Sequence, residues 1–301
     1  ADGVALALVL DTSSSVDPQL FEASRAFVSA VTESLGPKDR LVVLAADAVV
    51  RPVGPAAMGP VDPARKAEIA TALGKLVLGG STDLGRALEA GAEALPADAP
   101  SAMVVYVGDG WPSVGDTSLD AIRARLARRP KGSPRLGAVL VGPSTNRPLL
   151  ASLVRGSGPL VEIHDSDDAA RASVELLERV LVPTLTGLSA DLGTGVARVF
   201  PRAELAAPTG STITLVGRLV GELPKNVELS YRGVGGVERE KRALARIEAV
   251  RIDDVHRRFA AARVEALALE GRGREAITDA ALSVGLLTPW TSLVTDGAPV
   301  H

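Results

Sequence analysis

Leu6-Ala-Leu-Val-Leu10, followed at once by Asp11-Thr-Ser-Ser-Ser15, sets the reading of the whole chain. A wholly apolar run of strand length stops abruptly at a carboxylate and a cluster of hydroxyls. Past Val16-Asp17-Pro18 the apolar spacing turns helical. This is the pattern of a buried parallel strand, a polar loop at its C-terminal end and a helix leaving that loop. In open α/β sheets, ligands sit at that edge. Asp11, Ser13 and Ser15 carry hard oxygen donors at alternate positions, so one tight loop can turn all of them toward one point. They suggest a site for a divalent cation, completed by residues far along the chain.

Outward from that stretch, strands and helices alternate. Val4–Leu10 reads as the first strand. Asp17 and Pro18 then suit the cap and first position of a helix whose buried stripe is Leu20, Phe21, Ala23, Phe27, Val28 and Val31. Arg40–Ala46 is a second apolar strand, and Ala48–Val53 a third at an antiparallel edge. Asp62 and Pro63 open a helix running to Leu76. The turn Gly79-Gly80-Ser81-Thr82-Asp83 precedes a short amphipathic helix, Leu84–Leu95. Ala102–Val107 is another continuous apolar strand, and it too ends in a carboxylate-bearing turn, Gly108-Asp109-Gly110. Helices over Asp116–Arg129, Asn146–Arg155 and Asp165–Leu181 alternate with strands over Leu136–Val141 and Leu160–Ile163. The alternation predicts a doubly wound, mostly parallel α/β sheet over residues 1–181, covered by helices on both faces. At Val182-Pro183 the pattern gives way to short, partly alternating runs separated by Gly, Pro and Asn. These predict a small antiparallel β domain over residues 182–250. Helices over Ile252–Leu269 and Arg274–Leu287 and an extended Thr288–Val294 make a C-terminal segment over 251–301.

With 301 residues, the chain has room for roughly two domains. Apolar residues make up 46% and aromatic ones only 3%, so the core is aliphatic. No apolar run approaches the ~20 residues of a membrane-spanning helix, and the chain reads as soluble. A net charge of −3, with both signs interspersed, leaves no electrostatic footprint for nucleic acid. The richest basic stretch, Arg123, Arg125, Arg128, Arg129, Lys131 and Arg135, reads as a solvated helix end favoured by the helix dipole. Cysteine is absent, which excludes disulfides and thiolate metal sites. That fits an exported protein, so an extracytoplasmic or secreted location is expected over a cytoplasmic one. Ala1-Asp2-Gly3 leads directly into the first strand without a signal peptide, as a processed or excised fragment would.

Asp11 and Asp109 end two of the expected strands, and a third loop presents Thr82. With Ser13 and Ser15 this makes an all-oxygen donor set, which hard cations such as Mg²⁺, Mn²⁺ or Ca²⁺ favour over Zn²⁺ or Cu²⁺. Mg²⁺ takes six ligands at about 2.0–2.1 Å and keeps several waters, so one position is left for a carboxylate from another protein.

These residues resemble a known pattern. Asp11-x-Ser13-x-Ser15 after a first apolar strand, Thr82 after a glycine pair and Asp109 after a later strand resemble the metal-ion-dependent adhesion site of von Willebrand factor A domains, the group that includes integrin I domains. The resemblance implies that Asp11, Ser13, Ser15, Thr82 and Asp109 hold Mg²⁺ and that the domain binds a protein ligand offering an acidic residue. It covers about Val4–Leu181. Gly108-Asp-Gly-Trp-Pro-Ser-Val-Gly-Asp-Thr117 resembles the corresponding loop of inter-α-trypsin inhibitor heavy chains and their bacterial relatives, which carry a VIT domain before the A domain. Val216-Gly-Arg-Leu219 and Leu286-Leu-Thr-Pro-Trp-Thr-Ser-Leu-Val294 are similar to the region that follows. By that resemblance the piece missing from this chain is an N-terminal VIT domain of the same precursor. The sequence also departs from the pattern. Gly108 stands where Thr is usual, which removes a supporting hydroxyl, and Trp111 replaces a usually acidic residue. The tail Asp296-Gly-Ala-Pro-Val-His301 lacks the Asp-Pro-His through which the heavy chains attach chondroitin sulfate, so that linkage is not carried over.

Plainer roles compete with these. Asp11 and the serines suit a turn or helix cap, Thr82 an N-cap and Asp109 a glycine-flanked turn. Asp83 and Asp116 read as residues of helix first turns. Trp111 either anchors a partner at the metal face or packs over its own loop; Trp290 reads as core of the tail. His164, His256 and His301 have no metal spacing, and Gly271-x-Gly273-x-x-Ala276 follows a helix rather than a strand, which is the wrong context for a dinucleotide loop. Three functions follow: a non-enzymatic adhesion or scaffolding module, a structural assembly protein whose metal only stabilises the fold, and a Mg²⁺-dependent phosphatase of the haloacid dehalogenase type. The last needs a second Asp two positions after the first, where this chain has Ser13. A module without catalysis is the expectation.

Overall fold

β1 (Ala5–Asp11) is buried along its whole length, as a continuous apolar run demands of a strand covered on both faces. The structure is a computed structural model that describes residues 3–96, 102–129, 134–181, 184–202, 205–209, 212–233, 236–244, 253–269, 274–283 and 285. β1 lies parallel between β2 (Arg40–Ala46) and β5 (Ala102–Gly108). β6 (Arg135–Val141) and β7 (Leu160–Ile163) continue the parallel sheet. On the other side β3 (Val50–Pro52) and β4 (Gly59–Pro60) pair antiparallel with β2. The order is β3-β2-β1-β5-β6-β7, with β4 beside β2. This is the expected doubly wound, mostly parallel sheet with an antiparallel edge.

Successive side chains of a strand point to opposite faces. Leu6, Leu8 and Leu10 therefore join one core, with α1 (Pro18–Ser34), α2 (Pro63–Leu73) and α6 (Asp168–Leu181). Ala7, Val9 and Tyr106 join the other, with α3 (Leu84–Ala94), α4 (Leu119–Ala127) and α5 (Arg147–Val154). A Cβ on Gly91 of α3 would lie 2.7 Å from Val104 and 2.8 Å from Val9, so only glycine lets this helix sit as close as it does to β1 and β5. The chain leaves β1 toward one face and β5 toward the other. Their C-terminal ends meet where the strand order reverses, the point at which open α/β sheets bind ligands.

The helix starts follow local capping chemistry. Asp17 accepts N–H bonds from Gln19 and Leu20, and Asp62 accepts one from Arg65, each ahead of a proline. α3 is capped by Asp83, which accepts from the Arg86 N–H at 2.9 Å, rather than by Thr82. The first helical carbonyl bond also goes to Asp83, from the Ala87 N–H at 2.9 Å, while the Thr82 carbonyl turns to the 113–114 segment. α4 begins at Leu119 under a Ser118 cap, so Asp116 is not in its first turn. Asp116 pairs with Arg125 instead. Three of the arginines expected at a solvated helix end are instead engaged. Arg123 donates to the Ser152 carbonyl at 2.6 Å, Arg129 to the Ala92 carbonyl at 2.6 Å, and Arg125 pairs with Glu89 at 3.0 Å. They tie α4 to α3 and α5.

By contacts the chain divides into two compact units: residues 1–187 with 205–210, and residues 188–204 with 211–301. β8 (Thr184–Asp191) and β10 (Leu205–Pro208) run at the changeover. β10 was not expected, since four residues ending in proline carry no alternation to read. In the second unit β9 (Val196–Phe200) pairs antiparallel with β11 (Val216–Leu219), and β12 (Asn226–Gly233) pairs antiparallel with β13 (Gly236–Ala243). α7 (Asp253–Leu269) and α8 (Arg274–Leu282) follow. Phe200 and Phe259 meet edge to face at 5.4 Å and join β9 to α7. Lys131, Gly271, Gly273, Thr288–Val294 with Trp290, and His301 lie outside the described residues. Among the described residues no helix is long and apolar enough to cross a membrane.

Candidate metal centre

Leu10 lies opposite Val107 in the parallel register, so β1 and β5 bring Asp11 and Asp109 to the same end of the sheet as neighbours. The loops that follow are held by main-chain bonds. Gly79 N–H donates to the Thr12 carbonyl at 2.8 Å, and Ser14 N–H to the Gly80 carbonyl at 3.1 Å. The Thr82 carbonyl accepts from Ser113 at 3.0 Å and Val114 at 3.2 Å, and the Thr82 N–H donates to Ser113 Oγ at 2.9 Å. The Asp109 carbonyl accepts from Asn146 N–H at 2.7 Å. Peptide groups thus fix the loops and leave the functional side chains for other work.

Asp11 Oδ1 accepts from Ser13 N–H at 2.8 Å, and Ser13 Oγ lies 2.9 Å from Ser15 Oγ. Asp109 Oδ1 accepts from Trp111 N–H at 3.0 Å. Asp11, Ser13, Thr82 and Asp109 are buried, whereas Ser15 is exposed at the mouth. The fold therefore gathers Asp11, Ser13 and Ser15 in one loop, with Thr82 in a loop bonded to it and Asp109 on the adjacent strand end. Among the described residues no group of three or more His, Asp or Glu could hold a metal. A cation here relies on hydroxyls as well as carboxylates.

Burial raises the Asp11 carboxyl above its ordinary value, and the nearby Asp109 charge adds to this. Hydrogen bonds from Tyr106 and Ser13 oppose the rise without cancelling it. None of these influences comes from a cationic side chain. Two buried carboxylates beside three hydroxyls, all oxygen donors, fit a hard divalent cation, whose charge would offset the cost of burial.

Tyr106 is the residue that sequence reasoning missed. Its hydroxyl, fully buried, donates to Asp11 Oδ2 and accepts from the Gly110 N–H at 3.2 Å. The burial and the two aspartates push its phenol well above the usual range, so it stays a neutral donor. The expectation that Gly108 leaves the site without a supporting hydroxyl is corrected here. A Cβ at 108 would lie 2.7 Å from the Tyr106 hydroxyl and 2.5 Å from Asp11 Cβ, so glycine makes the room that the phenol uses. The available signal was spacing: residues 106 and 108 share a strand face.

Asp47, just past β2, is a third buried carboxylate beside the loops. Burial raises its pKa, but bonds from Arg51, the Val49 N–H and Thr12 outweigh that and hold it below its ordinary value. It is a paired structural group. Trp111 is 52% exposed, and its indole N–H donates to the Ser144 carbonyl at 3.0 Å. The ring is thus tethered to the neighbouring turn and still presents half its surface beside Asp109. His164 and His256 are exposed and remote from the cluster in sequence.

The fold, a mostly parallel sheet flanked by helices with the cluster at its switch point, is like that of von Willebrand factor A domains. Residues 6–111 match the family model of the von Willebrand factor type A domain, a span that runs from β1 through Trp111. The chain is similar to the solved structure of a von Willebrand factor type A protein from Catenulispora acidiphila. They share 17% identity and a TM-score of 0.62, over 95% of this chain and 80% of that one. It is also similar to the ArnB paralog VWA2 from Sulfolobus acidocaldarius, at 16% identity and a TM-score of 0.51, over 94% of this chain and 79% of that one. At these identities the likeness is one of fold. No curated protein sequence matches the chain.

Proposed function

We propose that this chain is a non-enzymatic, divalent-cation-dependent protein-binding module. Asp11, Ser13, Ser15, Thr82 and Asp109 would hold the cation, with Mg²⁺ as its first candidate and Mn²⁺ or Ca²⁺ as alternatives. Domains of the von Willebrand factor A type generally mediate metal-dependent protein interaction, which supports the reading. The observation that carries it is the nearness of buried Asp11 to Asp109 at the switch point, among hydroxyls, with no cationic side chain among the described residues that act on Asp11. When bound, the cation supplies an open coordination position for a carboxylate oxygen of the partner. The protein's own part is to fix the donors in place through the main-chain bonds between loops. Exposed Trp111 and Val114 flank the mouth and offer an apolar rim to that partner.

We also propose the inter-α-trypsin inhibitor heavy chain-like relationship, with a VIT domain in the same precursor and an extracytoplasmic setting. Its support is the sequence resemblance around 108–117 and in the tail. A structural assembly role is the second reading, favoured by the same buried carboxylate, because a cation there would stabilise the fold by itself.

Calorimetric titration of Mg²⁺, Mn²⁺ and Ca²⁺ into wild type and Asp11→Ala tests the shared premise. The expected result is saturable heat in the wild type alone; equal heats in both proteins would remove the site. Capture of partners with and without EDTA then separates adhesion from structure. Adhesion requires that EDTA release the partner.

A further inference from the structure

We infer that Tyr106 is a positioning residue of this centre, and that Gly108 is the space it needs to act. This inference rests on the metal-site reading above. The phenol holds Asp11 Oδ2 on one side and the Gly110 N–H on the other. It therefore joins the carboxylate at the end of β1 to the loop that carries Asp109, two segments 98 residues apart in sequence as the numbering of Asp11 and Asp109 gives directly. The β1–β5 ladder reaches Leu10 and Val107, and beyond it the loop's peptide groups bond to Thr82 and Asn146. Asp11 Oδ1 accepts from the Ser13 N–H, so with the phenol each carboxylate oxygen has one fixed partner and lone pairs left over for a cation. Tyr106 does not need to touch the cation; it acts through Asp11 and Gly110.

The test uses the full chain. Mn²⁺ titrations are compared for wild type, Asp11→Ala and Tyr106→Phe, with melting curves in EDTA for each. A hydrogen bond to a charged group is worth enough that its loss predicts at least about tenfold weaker Mn²⁺ binding in Tyr106→Phe, with the ring still filling its place. A second readout requires no change at the site. In protein with ¹³C-labelled tyrosine rings, Tyr231→Phe leaves Tyr106 as the sole tyrosine, since the chain has two. Saturating Mg²⁺ should shift that resonance. Wild-type binding lost in Asp11→Ala but unchanged or tighter in Tyr106→Phe would overturn the role of Tyr106 and leave the metal site standing. A Tyr106 ring resonance unmoved by saturating Mg²⁺ would do the same, even if Tyr106→Phe failed to fold. Equal heats in wild type and Asp11→Ala would sink the metal site and this inference together.

Discussion

Asp11 and Asp47 are both buried carboxylates, and their surroundings give them opposite signs. Asp11 is raised by burial, so between its ordinary value of 3.8 and its higher folded value the folded chain holds more protons than the unfolded one. Its contribution to stability falls as pH rises through that window. Without metal, Asp11→Asn is therefore expected to melt higher than wild type at pH 7, with the difference vanishing in acid. Each kcal/mol recovered is worth about 2–4 °C in a unit of this size. Scanning calorimetry in EDTA at two pH values checks this. Asp47 is lowered because Arg51, Val49 and Thr12 outweigh its burial, so its contribution is present above 3.8 and lost as pH falls through its lower folded value. Asp47→Ala should cost about 1–3 kcal/mol at pH 7 by leaving those donors unpaired, measured by urea denaturation. At this scale the aspartates and serines were legible because they interrupt or follow apolar runs. Tyr106 was not, because a tyrosine inside a buried strand reads as core until a neighbour shows what its hydroxyl reaches.

At the scale of elements, helix α3 is where sequence and packing meet most tightly. Gly91 faces Val9 and Val104, both fully buried β-branched side chains with no room to turn. Gly91→Val is expected to destabilise the first unit by about 3 kcal/mol or more through overpacking, seen as a lower denaturation midpoint. Asp83→Ala should cost about 1 kcal/mol by removing the α3 cap. The parallel strands and most helices were readable from their apolar spacing, because strands buried on both faces must be apolar throughout. The caps were less so. Thr82 and Asp83 are adjacent and both suit the position, and only the fold decides between them, turning the Arg86 N–H to the Asp83 carboxylate and the Ala87 N–H to its carbonyl. The arginines of α4 misled for a similar reason. Charge alone suggests solvent, whereas the carbonyls and carboxylates they reach come from elements distant in sequence.

At the scale of the molecule, every candidate metal residue lies in the first unit. Metal binding to the folded state alone stabilises by about 2.7 kcal/mol at a hundredfold excess over Kd. Hydrogen exchange should accordingly slow on Mg²⁺ addition at the 12–16, 79–83 and 108–115 loops and stay unchanged in the β12–β13 hairpin. Protection spread evenly over both units would contradict a site confined to the first. The first unit was legible as a whole because long strands and helices alternate in it. In the second the antiparallel runs and the two helices were legible too, but their bounds less so, because the strands are short and few of their residues are fully buried.

Tyr106 and Gly108 also limit the routes by which this sequence can change over time. A side chain at 108 is blocked while the phenol fills that space, and the nearness of Asp11 Cβ means the strand ends must part slightly as well. A descendant that moved its supporting hydroxyl to position 108 would have to give up Tyr106 first, passing through a form that has neither. Selection for the proposed metal site would oppose that intermediate. The two positions should therefore be inherited as a pair, so that among descendants retaining the site, a loss of tyrosine at 106 accompanies a gain of a hydroxyl side chain at 108.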